Sequence, residues 1–375
     1  MKILILNYGL HISGVSRALV NFANALVENG HDVTVKIEIN DFTLADLISP
    51  KVKLSLFLKE PHPFGMRVKG FLRFYDKWRK HLLSLPAEKQ YKKIVKEKYD
   101  IEMAFNRGAG VKIISGSDSN AKKIVWVHSD YIKCGNAFAG FETGNEAIEA
   151  YKKFDKILCV SNQAKKSFEE LFKISNTTCV AYNLFDVDKI LSLSTKKSFK
   201  KKKFTICAVG RLHESKNYPL LLNICKTLND RGLDFCCYIV GGGPDEKDLL
   251  KQKKELGLDN VIFTGASDNP YAYMAHSDVY ISTSVYEGLS TTTIEALILG
   301  KPCVVTNCTG MEEILTENGE IYGMIVPIDE TAIADAVESI YNSPTLAEEL
   351  KNKALKRAKA FESKVLYEKI IDAIK

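Results

Sequence analysis

The sequence predicts an α/β protein made of two doubly wound, Rossmann-like parallel-sheet domains facing across a cleft. Three observations carry this. Strand-like apolar runs alternate with helix-period segments in two separate series. The chain has 375 residues, more than one ordinary core and about right for two. A lysine-rich stretch, "STKKSFKKKKF" from Ser194 to Phe204, stands between the series.

The first series opens with "KILILN", a short apolar run of strand type. "VSRALVNFANALVENG" follows, with Val15, Leu19, Phe22, Ala23 and Leu26 at helical spacing and Gly30 as a stop. "DVTVKIE" is strand again, which completes a parallel βαβ unit. "YDIEMAFN", "KKIVWVHS" and "DKILCVSN" continue the strands. The second series starts at "FTICAVGR". It runs through helix "NYPLLLNICKTLNDRG", strand "DFCCYIVGGGP", helix "DEKDLLKQKKELG" and strand "NVIFTG". It continues with helix "NPYAYMAHS", strand "DVYISTS", helix "TTTIEALILG" and strand "PCVVTN". The expected domains are therefore 1–185 and 204–360, with a basic linker at 186–203. A last helix at 361–375 follows and, by its order alone, could cross back to the first domain.

Composition bounds the function. The chain is 46% hydrophobic and 26% charged, a globular balance. No apolar run reaches the ~18–20 residues of a membrane span. The N-terminal apolar stretch is too short for a signal peptide, so a cytoplasmic location is expected. The nine cysteines include no C-x-x-C pair, and Cys159, Cys236, Cys237 and Cys303 sit inside apolar runs. They read as small buried hydrophobes rather than a disulfide framework. Charge is uneven. Residues 66–98 hold eleven Lys or Arg against three Asp or Glu, a net of +8 that leaves −2 of the total +6 for the rest.

Within that basic segment, Phe64–Leu85 places Val68, Phe71, Leu72, Tyr75, Trp78 and Leu82 at helical spacing, interleaved with Arg67, Arg73, Lys77, Arg79 and Lys80. An aromatic face with many cations suits an anionic membrane surface. An ordinary amphipathic helix packed on the first domain fits the same pattern. No nucleic-acid recognition motif accompanies it, so nucleic acid is not an expected partner.

In open parallel sheets, ligands sit outside the carboxyl ends of the strands, so residues just after each strand are the ones that matter. Arg211 and Lys216 follow "FTICAVG", and two cations beside a helix start suit a diphosphate. A solvated turn is the plain alternative. Gly241 to Gly243 follow "CCYIV", which allows close backbone approach to a ligand or simply makes a tight turn. "SVYEGLSTTTIEALILGKP" places Glu287 and Glu295 eight positions apart around four hydroxyl residues. Ser290 is a fitting N-cap and Gly300 a stop for a helix over Thr291–Leu299. The free amides at its start make a phosphate site. The carboxylates would be ~10–12 Å apart, too far for one metal and suited to two contacts on a long ligand. Glu295 precedes "ALILG", where an unpaired carboxylate is costly. In the first series, Gly9, Ser13 and Gly14 make a turn before a helix. Arg17 stands in that helix's first turn and His128 at a strand end in "VWVHSD".

These residues resemble a known family. "EGLSTTTIEA" is similar to the E-x7-E signature of the retaining nucleotide-sugar glycosyltransferases of group 1 (glycogen-synthase-like, family 4), above all their bacterial surface-polysaccharide branch. "VGRLHESKN", "VGGGPDEKDL", "VIFTGASDNPYAYMAHSDVYISTS" and "GKPCVVTNCTGMEEIL" resemble that family's neighbouring blocks in the same order. The likeness covers 205–330 and is looser over 1–185. It implies the GT-B fold, with the acceptor held mainly by the first domain and the donor by the second. It also implies no metal and no cofactor. Carried over, Arg211 and Lys216 would hold the donor diphosphate, Glu295 the ribose hydroxyls and Glu287 the donor-sugar hydroxyls. The backbone at Leu289, Ser290 and Thr291 would cap the phosphates, with Gly288 also among the donor-binding residues, and His128 would stand near the anomeric centre. Gly14, Gly241 and Gly243 would line the donor, with Glu312 or Glu313 nearby. Many relatives carry Gly-Gly in the first loop; here it is Ser13-Gly14.

The implied activity is transfer of a sugar from a nucleotide-diphosphate donor, UDP being the family's commonest, to a glycan or polyprenyl-linked acceptor. A sugar-nucleotide epimerase on the same fold and a non-catalytic nucleotide-sugar binding protein are the alternatives. A NAD-dependent dehydrogenase is disfavoured, because no G-x-G-x-x-G with an acidic residue ~20 positions on is present.

Overall fold

The computed structural model describes residues 1–57, 77–196 and 203–375. The chain divides into two units, Met1–Asn183 with Tyr367–Lys375, and Leu184–Leu366.

The first unit is a seven-stranded, wholly parallel sheet. Its strands are β1 (Lys2–Asn7), β2 (Asp32–Ile37), β3 (Lys53–Leu56), β4 (Ile101–Ala104), β5 (Lys122–Val127), β6 (Lys156–Cys159) and β7 (Thr178–Val180). Their order is β3-β2-β1-β4-β5-β6-β7, with Ile3 opposite both Val33 and Ile101. The order reverses between β1 and β4. The helix Gly14–Glu28 forms because Ser13 caps it: the Ser13 hydroxyl accepts from the Ser16 amide at 3.2 Å. Ala18, Leu19, Phe22, Ala23 and Leu26 are buried on one face. The helix ends at Asn29 and Gly30, the latter at φ +80°. Phe22 meets Trp126 edge-on at 5.1 Å between centroids, and the Trp126 indole N–H donates to the Ala181 carbonyl at 3.2 Å.

The second unit is a six-stranded parallel sheet of β8 (Phe204–Val209), β9 (Phe235–Val240), β10 (Val261–Gly265), β11 (Val279–Ser282), β12 (Cys303–Thr306) and β15 (Met324–Val326). Its order is β10-β9-β8-β11-β12-β15. The reversal falls between β8 and β11. β13 (Thr316–Glu317) and β14 (Glu320–Ile321) form a separate antiparallel hairpin. Asn318 and Gly319, at φ +51° and +80°, supply its two-residue turn. The core is mainly aliphatic, with Ile206, Leu221, Leu222, Ile239, Val279, Ile281 and Val304 all buried alongside Tyr218 and Phe235.

The described structure also refines the local readings. The helix read over Thr291–Leu299 spans Thr291–Ile298, with Leu299 as its cap residue and Gly300 beyond it at φ +63°. Ser290 holds the N-cap position but its hydroxyl makes no capping bond. Within 186–203, Val187–Ser194 form a helix packed against the helices Tyr271–His276 and Thr291–Ile298. Residues 197–202 of that stretch lie outside the described residues, as do 58–76 of the basic segment. All nine cysteines are free. Cys159, Cys237 and Cys303 are buried as expected, whereas the alternation of β9 leaves Cys236 half-buried.

Candidate active site

The loops after β8 and β11 flank the reversal of strand order in the second unit, where an open parallel sheet leaves its crevice. The β8 loop, Gly210 to Asn217, carries Arg211 and Lys216. It ends in a single 3-10 turn, Glu214–Lys216, capped by the His213 ring, and Asn217 follows in the left-handed region at φ +50°. The β11 loop carries Glu287 and leads into the helix Thr291–Ile298.

Hydrogen bonds to backbone carbonyls tie the two loops together. The Val285 amide donates to the Ser215 carbonyl at 2.9 Å. The Thr283 hydroxyl reaches the Lys216 carbonyl at 2.8 Å. Across this joint, the Lys216 ammonium donates to Glu287 Oε1 at 2.5 Å, and the side chains are 19% and 13% exposed. The same Oε1 accepts from the Ser284 hydroxyl at 2.8 Å. Gly210 makes room for this geometry, since a Cβ there would stand 3.0 Å from Lys216 Cε and 3.1 Å from Tyr218 Oη.

Arg211 is exposed and forms no ion pair among the described residues. Its loop rests on the glycines after β9. A Cβ on Gly241 would stand 1.8 Å from the Gly210 carbonyl oxygen, and one on Gly243 2.1 Å from that of Leu212. Leu212 donates to the Gly242 carbonyl at 3.1 Å. The missing side chains of Gly241 and Gly243 therefore serve loop-to-loop packing first.

Glu295 sits one turn into the helix and is 7% exposed. Its Oε1 accepts from the buried Tyr271 hydroxyl at 3.2 Å. The expected cost of a carboxylate in an apolar run is thus offset by a partner on a neighbouring helix. The Tyr280 and Thr292 hydroxyls stand 2.8 Å apart beside the helix start, and the Thr293 hydroxyl donates to Ser290 Oγ at 2.9 Å. The first-turn amides of this helix have no intrahelical acceptors, as at any helix start. Gly288, Leu289, Ser290 and Thr291 lie along the approach to them. Glu313 lends its backbone carbonyl to the buried Arg357 at 3.0 Å.

Gly14 and His128 belong to the first unit, Gly14 as the first residue of the helix that follows β1 and His128 directly after β5. His128 is buried, stacked at 5.6 Å on Trp126 and tilted at 4.7 Å against Phe105. Neither ring nitrogen has a partner in hydrogen-bonding geometry. Burial pushes its pKa from 6.5 down to about 3, against a smaller opposing pull from the Phe105 backbone carbonyl. The imidazole is therefore neutral near pH 7.

This has a sign. An unfolded histidine takes up a proton below its ordinary pKa of 6.5 while the buried one resists. Stability should therefore fall as pH drops from about 6.5 towards 3. At about pH 5 the loss should be about 2 kcal/mol. Urea unfolding at two pH values checks it: the wild type should lose this amount relative to His128→Asn, and equal losses in both would refute it.

Sequence reasoning missed Ser284, Ser282, Ser215 and Tyr271. The first two stand in plain view before Glu287. Only the fold, however, brings Ser215 and Tyr271 to the two glutamate-bearing segments.

In comparisons with known proteins, residues 12–189 match the model of glycosyltransferase family 4 and residues 191–357 that of the glycosyl transferases group 1. Over 248 residues the chain is 30% identical to an uncharacterized glycosyltransferase of Methanocaldococcus jannaschii, covering 60% of each chain. Over 216 residues it is 33% identical to the N-acetylgalactosamine-N,N'-diacetylbacillosaminyl-diphospho-undecaprenol 4-alpha-N-acetylgalactosaminyltransferase of Campylobacter jejuni, covering 56% of this chain and 58% of that one. The chain thus spans about three fifths of the length of these two relatives. The Anabaena HepE structure, in complex with UDP and glucose, superposes with a TM-score of 0.75 at 17% identity, covering 99% of this chain and 98% of that one. That likeness is one of fold, and the fold is GT-B. The two matching models together with the fold place this chain in the glycosyl transferases group 1 family.

Proposed function

We propose that the protein is a retaining glycosyltransferase that moves a sugar from a nucleoside-diphosphate donor, a UDP-sugar, to a glycan or polyprenyl-linked glycan in bacterial surface-polysaccharide synthesis. The observation that carries this is the joint of Lys216 and Glu287 between the loops flanking the switch point, with Glu295 eight positions on.

In this reading the diphosphate lies on the start of the helix Thr291–Ile298, with Lys216 and the unpaired Arg211 beside it. These groups stabilise the charge that develops on the leaving nucleotide, a contribution that is usually large. They supply the charge a metal would otherwise bring, so activity should survive EDTA. An ammonium has three N–H donors, and Lys216 spends one on Glu287, which leaves two for phosphate oxygens. Glu295 takes the ribose hydroxyls and Glu287 those of the donor sugar. His128, neutral at working pH, acts by hydrogen bonding rather than by giving up a proton. The departing phosphate oxygen receives the acceptor's proton.

Among the described residues no helix is long and apolar enough to cross a membrane. Peripheral contact with an anionic surface through 66–98 belongs to the same proposal, because a polyprenyl-linked acceptor is membrane-bound. Its described part has Trp78 exposed at 43% with Lys77 and Lys80 beside it. Arg79 is not one of the available cations: it pairs inward with the buried Glu38.

The test is proton NMR of an α-configured UDP-sugar with the enzyme, with and without a polyprenyl-diphosphate-linked oligosaccharide. An α-linked product, formed only with acceptor and in EDTA, is expected. A β-linked product would contradict retention. Conversion of the donor sugar without acceptor would favour an epimerase, and no conversion at all would favour a binding protein.

A further inference from the structure

Glu287 is held from one side. Its Oε1 takes both hydrogen bonds, from Lys216 and Ser284, while Oε2 takes none among the described residues. Ser284 is fully buried, at 0% exposure. Its carbonyl accepts from the Thr306 hydroxyl at 2.6 Å, and its Oγ lies 3.1 Å from Ser282 Oγ. The single Ser284 proton goes to the carboxylate, so Ser282 is the donor to Ser284. A line of hydroxyls thus runs from the last residue of β11 to the carboxylate. The next residue, Val285, is fastened by its amide to Ser215.

We propose that Ser284 is the positioning residue for the transferred sugar: it fixes Glu287 through Oε1 so that Oε2 is presented to a donor-sugar hydroxyl. The assignment rests on the proposed function. Lys216 cannot do this work alone, because its charge is also wanted by the diphosphate and its stem is flexible. A neutral buried hydroxyl is not drawn towards phosphate. Once a diphosphate engages Lys216, Ser284 remains as the fixed holder of the carboxylate.

Calorimetry with UDP and with UDP-glucose, UDP-galactose, UDP-N-acetylglucosamine and UDP-N-acetylgalactosamine tests this on wild type, Ser284→Ala, Ser284→Thr and Ser282→Ala. UDP should bind all four proteins within about twofold. Ser284→Ala should weaken the preferred UDP-hexose by about tenfold, the scale of a hydrogen bond to a charged group. In turnover it should raise donor KM and lower kcat. Ser282→Ala should show a smaller loss of the same kind, and Ser284→Thr should restore binding. Equal weakening of UDP and UDP-hexose, or no weakening of either, would overturn the assignment and leave the proposed function standing. If Ser284→Ala does not fold, the absence of a sugar-selective loss in Ser282→Ala overturns it. A wild type that binds none of these nucleotides removes the proposed function, and this assignment with it.

Discussion

Replacing Lys216 by alanine should lower kcat/KM for the nucleotide-sugar donor by roughly 10²- to 10³-fold, the usual loss for one group aimed at developing charge. The fold should lose much less than the rate. Lys216 leaves behind a carboxylate that keeps its bond to Ser284 at 2.8 Å. The pair is largely withdrawn from water, at 19% and 13% exposure, so removing its cation should cost about 1–3 kcal/mol and lower the unfolding midpoint by roughly 2–12 °C. Steady-state kinetics and a thermal melt on the same preparation separate the two effects. A variant that melts far below wild type would mean that Lys216 is a structural strut between two loops. Arg211→Ala should follow the same pattern with a smaller loss, because an exposed side chain is less firmly aimed.

Gly241→Ala should do the reverse and damage both properties through the backbone. The added Cβ would fall 1.8 Å from the Gly210 carbonyl oxygen, and neither partner is a flexible side chain that can step aside. Forcing a methyl into a filled space costs about 1–3 kcal/mol where side chains give way, so about 3 kcal/mol is expected here. For a unit of this size the midpoint should drop by roughly 6–12 °C. Activity should fall as well, because the displaced loop is the one that carries Arg211 and Lys216. Gly243→Ala, with its Cβ 2.1 Å from the Leu212 oxygen, should behave alike. Either variant melting at the wild-type temperature would show that the two loops are not packed this way.

The strands nearest the switch points were legible because buried parallel strands read as continuous apolar runs. β1 is "KILILN" and β8 is "FTICAV". β3 and β7 were not read, being short and half-polar at the sheet edges, as "KLSL" and "TCV". The helix Val187–Ser194 hid inside a stretch that looked like a linker because lysines follow it at once. At the site, Lys216, Arg211 and Glu287 stood out by residue type on the loops after strands, and Glu295 by its place in an apolar helix. Their pairing did not. Lys216 and Glu287 are 71 positions apart, and only the adjacency of β8 and β11 joins their loops. The glycines after β9 fit either close approach of a ligand or a tight turn, and the nearest neighbour of Gly241 and Gly243 is the chain itself. Ser284 carries no signal of its own in the sequence; its burial and its bond to Glu287 single it out.

A thermal-shift panel with UDP-, GDP-, ADP- and CDP-sugars, and NAD as control, on wild type and Glu295→Ala addresses the nucleotide-sugar site most directly. A ligand at 100 times its dissociation constant adds about 2.7 kcal/mol, so a true donor is visible. Stabilisation by UDP-sugars that Glu295→Ala abolishes is the predicted outcome. Stabilisation by none of the sugar nucleotides, by NAD alone, or undiminished in Glu295→Ala would contradict it.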